Sequence, residues 1–194
     1  MPPQEAPEQV TSPPELHTDR LLLRGFSIED AADVFAYASD PEVLRYTTGV
    51  TPVTPADSER FVQSLLDNPP GAFAWALLPR SGGRVIGAVE FGIGDGRTGS
   101  IHYALARDRW NGGLMTEACR AVLDWGFASH PGLERVTTSA VVENRASTRV
   151  MEKCGMSFLG TETETWDKLD RPVELAVYSI SRGEWAGSRG NGLW

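Results

Sequence analysis

One stretch constrains this chain more than any other. From Ser100 the sequence alternates as SIHYAL, passes through Trp110-Asn111-Gly112-Gly113, and continues at helical period to about Ala128. In that run Met115, Ala118, Val122 and Trp125 recur every three to four residues, as on one face of a helix. The β-branched segment Arg135–Val142 follows and reads as a central strand. Strand, helix and strand in this order call for one parallel crossover at the middle of the fold.

The flanking segments supply the other elements. Leu21-Leu22-Leu23 reads as a short buried strand, and Ser27, with Asp30 three residues on, caps a helix over Ile28–Ala38. Thr54-Pro55 starts a second helix that reaches about Leu66. Ala72–Leu78 and Arg84–Phe91 are expected as strands, turned at Ser81-Gly82-Gly83. A short helix over Ala146–Cys154 ends at Gly155, and Met156–Trp166 with Val173–Ser181 closes the chain as a strand pair. The expected class is α/β: a mixed, mostly antiparallel sheet of about seven strands with four helices.

The chain of 194 residues is long enough for one ordinary domain, expected over residues 15–185. Residues 1–14, rich in Pro, Gln and Glu, are expected to be disordered, and 186–194 to form a flexible tail. No run approaches the ~20 apolar residues of a membrane helix, and the N-terminus lacks the apolar core of a secretory signal. Cys119 and Cys154 are expected as reduced, buried thiols, and His17, His102 and His130 show no ligand spacing. The expectation is a cytoplasmic protein without a metal. A net charge of −8 speaks against nucleic acid and suits cationic partners, or serves solubility alone. Oligomeric state is not legible, and a homodimer stays open.

Gly94-Asp95-Gly96-Arg97-Thr98-Gly99 matches the dinucleotide pattern GxGxxG letter for letter. That pattern must open a helix, whose N-terminus holds the pyrophosphate. Here SIHYALA follows, so the glycines are expected to form a hairpin turn. The turn at Asn111-Gly112-Gly113 is different. It consists of residue types that accept positive φ, and it leads directly into a helix. Main-chain N–H groups at such a terminus can hold an anion, with the helix dipole adding about 0.3–1 kcal/mol. The alternative is a strand–helix turn that binds nothing.

Trp110-Asn111-Gly112-Gly113-Leu114-Met115-Thr116-Glu117-Ala118 resembles the coenzyme A pyrophosphate loop of the GNAT superfamily. It is most similar to the ribosomal-protein N-terminal acetyltransferase (RimJ/RimL-like) branch. Glu143-Asn144-Arg145-Ala146-Ser147 through Glu152-Lys153-Cys154-Gly155-Met156, the opening Thr18–Arg24 and the closing Arg182-Gly183-Glu184-Trp185 resemble that branch too. Asn111 stands where glycine is frequent, Met115 where a small residue is usual, and His102 where the branch usually has glycine.

The resemblance implies a GNAT fold with a V-shaped split between two central parallel strands, one ending at Leu105 and the other at Val142. It implies acetyl-CoA as co-substrate and direct attack of a primary amine on the thioester. Backbone groups of Trp110, Asn111, Gly112, Gly113, Leu114, Met115 and Thr116 would hold the pyrophosphate, and the strand ends, Leu105 included, would pair with the pantetheine arm. Asn144 would bond the cofactor, and Ser147 would donate a proton to the leaving thiolate. On the residues alone, Asn144 could equally cap the following helix and Ser147 could be a polar first-turn residue. Glu117 reads as a first-turn carboxylate answering the helix dipole.

The amine must be neutral to attack. An α-amine of pKa near ~7.8 costs about 1 kcal/mol to neutralise at pH 7, and a lysine near ~10.4 about 4.6 kcal/mol. Glu90, which interrupts the apolar run VIGAVEFGI, and His102 are the candidate bases. Glu90 sits either on a solvent face or in a pocket. The acceptor stays open between a protein N-terminus, an amino acid or polyamine, and an amine-bearing antibiotic. Tyr46, Trp75 and Trp166 line its pocket or simply pack. A CoA-binding module without catalysis is the alternative, kept open by Asn111 and Met115.

Overall fold

In the computed structural model, which describes residues 12–168 and 171–190, the apolar alternation of the chain resolves into one sheet. Its strands are β1 (Leu16–His17), β2 (Leu21–Gly25), β3 (Ala72–Pro79), β4 (Gly87–Ile93), β5 (Thr98–Leu105), β6 (Arg135–Val141), β7 (Ser157–Trp166) and β8 (Arg171–Ser181). The helices are α1 (Ala31–Ala38), α2 (Pro55–Leu66), α3 (Leu114–Ser129), α4 (Arg145–Lys153) and α5 (Arg182–Gly190). The eight strands stand in the order β1-β2-β3-β4-β5-β6-β8-β7. All neighbours are antiparallel except β5 and β6. The mixed α/β class is as expected. The sheet is one strand larger because the two-residue β1 is too short to leave a periodic signal.

The parallel pair is joined only at its base. Thr98, Gly99 and Ser100 pair with Arg135, Val136 and Thr137, and beyond them no ladder connects the strands. Thr138 Oγ1 donates to Ile101 O at 2.6 Å just past the last rung. The sheet therefore splits there, leaving the inner edges of β5 and β6 without a strand partner.

Opposite faces of the sheet carry different layers. On one, Trp125 of α3 meets Phe73, Trp75 and Phe91 edge-on, with centroids 4.7, 4.9 and 5.9 Å away. α3 lies close to Phe91 because Gly126 has no side chain: a Cβ there would stand 2.7 Å from Phe91 Cζ. On the other face, α1 and α2 bury Val34 and Val62. α2 begins as its sequence indicates, with Thr54 N–H donating to Asp57 Oδ2 at 2.7 Å.

Both ends of α3 are tied by residues distant in sequence. At its start, Glu117 accepts from Thr18 Oγ1 (2.5 Å), Arg20 N (2.8 Å) and Arg20 Nε (2.7 Å). At its end, the Arg182 guanidinium donates to the carbonyls of Phe127, His130 and Leu133, and Trp185 Nε1 donates to Asp124 Oδ1 at 2.7 Å. The opening and closing motifs thus act as clamps on one helix. Glu117 does more than answer the helix dipole.

Other expectations are corrected or completed. The segment expected as a tail from 186 is helical to Gly190, because Trp185 stacks on Phe127 and anchors α5; residues 191–194 lie outside the described residues. Of the segment 1–14, only 12–14 are described, and Pro14 O accepts from Trp75 Nε1 at 2.8 Å. The GxGxxG stretch is the β4–β5 turn, where Asp95 Oδ1 accepts from Arg97 N, Thr98 N and Thr98 Oγ1. Those bonds hold the Asp95 carboxyl down at about 2. Cys119 and Cys154 are free and buried, and burial pushes the Cys119 thiol well up. Among the described residues no helix is long and apolar enough to cross a membrane, and no group of three or more His, Cys, Asp or Glu could hold a metal ion.

Candidate active site

The turn into α3 has the geometry its composition allows. Asn111 has φ 60° and Gly113 has φ 77°, so two of its residues adopt the left-handed region. The first helical bond runs from Glu117 N to Gly113 O. The N–H groups of Asn111, Gly112, Gly113, Leu114, Met115 and Thr116 have no partner among the described residues. Arg20 donates to Gly112 O at 2.8 Å and steadies the turn from outside. The thioether of Met115 is buried in the core, so it does not crowd the turn. Trp110 Nε1 donates to Leu105 O at 2.8 Å. The Leu105 carbonyl is therefore already engaged, and the Trp110 ring covers the end of β5.

Above the split lies a cavity of about 600 Å³. Residues from both faces of the sheet line it. Glu90 and His102 are cross-strand partners of β4 and β5 on the α1–α2 face. Tyr103, which neighbours His102 in sequence, has the opposite parity and belongs to the α3 face, yet it also lines the cavity. The cavity thus passes through the sheet where β5 and β6 part.

Its polar groups fall into two sets. Asn144 Oδ1 accepts from Ser147 N at 3.2 Å, so Asn144 caps α4 while also lining the cavity. Ser147 Oγ is 2.9 Å from Tyr103 Oη, which also donates to Ser147 O at 3.1 Å. Burial raises the Tyr103 hydroxyl well above its ordinary value, so it is a neutral phenol at working pH. On the other face, the side chains of Glu90 and His102 make no hydrogen bond among the described residues. Burial raises the Glu90 carboxyl and lowers the His102 imidazole. His102 is nonetheless reached by solvent. The two observations agree for a ring in the wall of a cleft, shielded from bulk water and open to the cavity. Tyr37 stands near Glu90; burial first, and the Glu90 charge second, push its hydroxyl up.

The structure brings Glu90, His102, Asn144 and Ser147 to one cavity and leaves the Asn111–Thr116 turn at the head of α3. Tyr46 and Trp166 line the cavity, whereas Trp75 is fully buried in the aromatic cluster. Sequence reading missed Tyr103, whose only signal was its place beside His102 on a strand bound for the split. It also missed Lys168, whose ammonium donates to the carbonyls of Leu44 (2.5 Å), Thr47 (3.3 Å) and Gly49 (2.9 Å).

With this geometry in hand, likeness to known proteins is informative. Residues 20–157 match the family model described as an acetyltransferase (GNAT) domain. The chain belongs to the GNAT acetyltransferase family. Among its GNAT relatives is an uncharacterized N-acetyltransferase, p20, of Bacillus licheniformis, 28% identical over 89% of this chain and 98% of that protein. YnaD, an uncharacterized N-acetyltransferase of Bacillus subtilis, is 31% identical over 87% of this chain and 97% of its own length. A GNAT-family acetyltransferase from Bacillus anthracis superposes with a TM-score of 0.76 at 26% identity, over 86% of this chain and 98% of that one. The protein is an N-acetyltransferase with the GNAT fold, and acetyl-CoA is the acetyl donor of the family.

Proposed function

We propose that this GNAT protein transfers acetyl from acetyl-CoA to a primary amine across the split in its sheet, by direct attack. The observation that carries the reading is the cavity lined from both faces at the point where β5 and β6 part. It gives the donor one side and the acceptor the other. The unpartnered N–H groups of residues 111–116 suit the pyrophosphate, and the free strand edges suit the pantetheine amides. Backbone N–H groups on the β5 edge are the natural donors to the developing oxyanion.

The chemistry then divides between the two polar sets. Glu90 or His102 takes a proton from the ammonium, directly or through water. The neutral nitrogen adds to the thioester carbonyl; as the C–S bond breaks, Ser147 protonates the departing sulfur, and the second proton shed by the attacking nitrogen restores the serine hydroxyl through water. Tyr103, a neutral phenol, holds Ser147 in line. Products are the N-acetyl amine and the free CoA thiol. The four motifs also favour placement beside the RimJ/RimL-like branch, and the free thiols Cys119 and Cys154 suit a cytoplasmic protein.

Thiol release from acetyl-CoA, followed across peptides, amino acids, polyamines and aminoglycosides, tests the reading. Release that depends on an amine is expected. A raised melting temperature with acetyl-CoA and no release from any amine would mean a CoA-binding module without catalysis.

A further inference from the structure

The side chains that line the acceptor side of the cavity carry negative charge, although the Lys168 ammonium is bonded to the carbonyls of the lining residues Leu44, Thr47 and Gly49. Among the described lining residues are the carboxylates of Asp57, Glu90 and Glu164, and none is lysine or arginine. Asp57 is already engaged: its Oδ2 accepts from Val53 N and Thr54 N at 2.9 and 2.7 Å, and Arg60 pairs with Oδ1. Glu164 commits Oε2 to Trp166 Nε1 at 3.1 Å and leaves Oε1. The Glu90 side chain makes no hydrogen bond among the described residues. A carboxylate in such a site is stabilised by a cation and destabilised by a second anion. Beside Glu164, Trp166 presents aromatic surface, which also attracts a cation, whereas the Tyr46 ring already carries the Arg45 guanidinium 5.2 Å from its centroid.

The same side is strapped. Lys168, in the turn after β7, holds three carbonyls of the loop that follows α1. Tyr46 of that loop packs with Val141, Trp166, Val173 and Leu175 on the far half of the sheet. The loop therefore crosses the split and docks on both halves, a closed arrangement that suits a small acceptor better than a peptide needing an open trough. The family motifs are silent here. Of their residues only Asn144 and Ser147 line the cavity, so the branch they resemble does not specify the acceptor wall.

We propose that the acceptor is a small amine carrying a second fixed positive charge, a diamine or polyamine. Its reacting nitrogen sits at Glu90 and His102, and its distal cation sits against Glu164 and the face of Trp166. This rests on the acetyl-transfer reading above and narrows its substrate. One ammonium of the dication gives up a proton to become the neutral nucleophile, and the products are the mono-acetyl cation, CoA thiol and that one proton.

A length-matched series tests it: diaminobutane, butylamine, aminobutanoate and a lysine-containing peptide with a free N-terminus, each with acetyl-CoA and thiol release as readout. Diaminobutane should exceed butylamine in kcat/KM by roughly tenfold, mainly through KM, and aminobutanoate should be poorest. Raised salt should shrink the diamine's advantage. E164Q, which keeps an acceptor for Trp166, should cut that advantage roughly threefold to fivefold. Equal kcat/KM for diamine and monoamine, or a preference for aminobutanoate or the peptide, overturns the proposal and leaves the enzyme reading standing. An unchanged diamine advantage in a folded E164Q overturns the place given to the distal cation. Acetyl-CoA binding without thiol release from any acceptor overturns the enzyme reading itself, and the proposal with it.

Discussion

Tyr103 carries a single proton and faces two oxygens of Ser147. If the phenol donates to the carbonyl, the serine hydroxyl donates to the phenol; if the phenol donates to Oγ, the serine proton is free to point at sulfur. The second arrangement is the productive one for a leaving thiolate. Ser147→Ala should lower kcat roughly a hundredfold with the KM for acetyl-CoA little changed, because the role begins only as the thiolate forms. Tyr103→Phe removes one hydrogen bond and leaves the serine. It should lower kcat about threefold to tenfold, read by the same steady-state assay. Turnover unaltered in both variants would remove this pair from the mechanism. On the other face, the two candidate bases shift toward each other, His102 down from 6.5 and Glu90 up from 4.5. The ascending limb of the kcat–pH profile should then lie below 6.5 if His102 is the base, and above 4.5 if Glu90 is. Gln replacement of the true base moves or abolishes that limb. A limb indifferent to both replacements points to water or the acceptor itself.

At the scale of elements, the position of α3 decides where the Asn111–Thr116 turn lies. Gly126 lets it approach the sheet. Three ring atoms of Phe91 lie 2.7–3.2 Å from the point a methyl at residue 126 would occupy, which leaves no room for one. Alanine is the better helix former by about 1 kcal/mol, but overpacking a buried ring costs about 1–3 kcal/mol. Gly126→Ala should therefore destabilise by up to about 2 kcal/mol, seen as a lower urea midpoint. Glu117 sets the other coordinate. Burial raises its carboxyl, but Thr18 and Arg20 outweigh that and hold it below the usual range. Glu117→Gln should cost about 1–2 kcal/mol, discounted because Arg20 is half exposed. It should also weaken acetyl-CoA binding several-fold by freeing Gly112. Calorimetric titration separates that effect from the loss of stability.

At the scale of the whole molecule, the Arg24–Asp30 ion pair joins β2 to the segment that enters α1. Arg24 meets Asp30 at 2.7 Å through both nitrogens, and the Asp30 side chain is only 6% exposed. Burial raises its carboxyl, yet the Arg24 hydrogen bonds and the Ser27 N–H outweigh burial and hold it below its ordinary 3.8. A carboxyl lowered on folding adds stability above its unfolded value, and that stability is lost as pH falls through the folded one. Stability should thus decline below about pH 4, and Asp30→Asn should flatten that decline. At neutral pH the variant should be less stable by about 3 kcal/mol, since Arg24 loses its partner. Urea unfolding across pH measures both effects.

How much of this was legible in the residues depends on the range of the interaction. The element order, the Ser27 and Thr54 helix starts, the hairpin behind the GxGxxG letters and the left-handed turn at Asn111–Gly113 are local. They follow from φ preferences, missing side chains and short periodicities that neighbours alone impose. Periodicity also says that Glu90 breaks an apolar face, but not whether that face meets water or a cavity. Register decided it, by setting Glu90 opposite His102 beside the split. Lys168 reaches Gly49 across 119 residues, Arg20 reaches Glu117 across 97, and Tyr103 reaches Ser147 across 44. No local preference encodes such pairs. The sequence by itself determined which segments become strands and helices and where an anion could be held. Only the tertiary structure decided what closes the acceptor side and which hydroxyl touches which, because those contacts exist only once the sheet has assembled and parted.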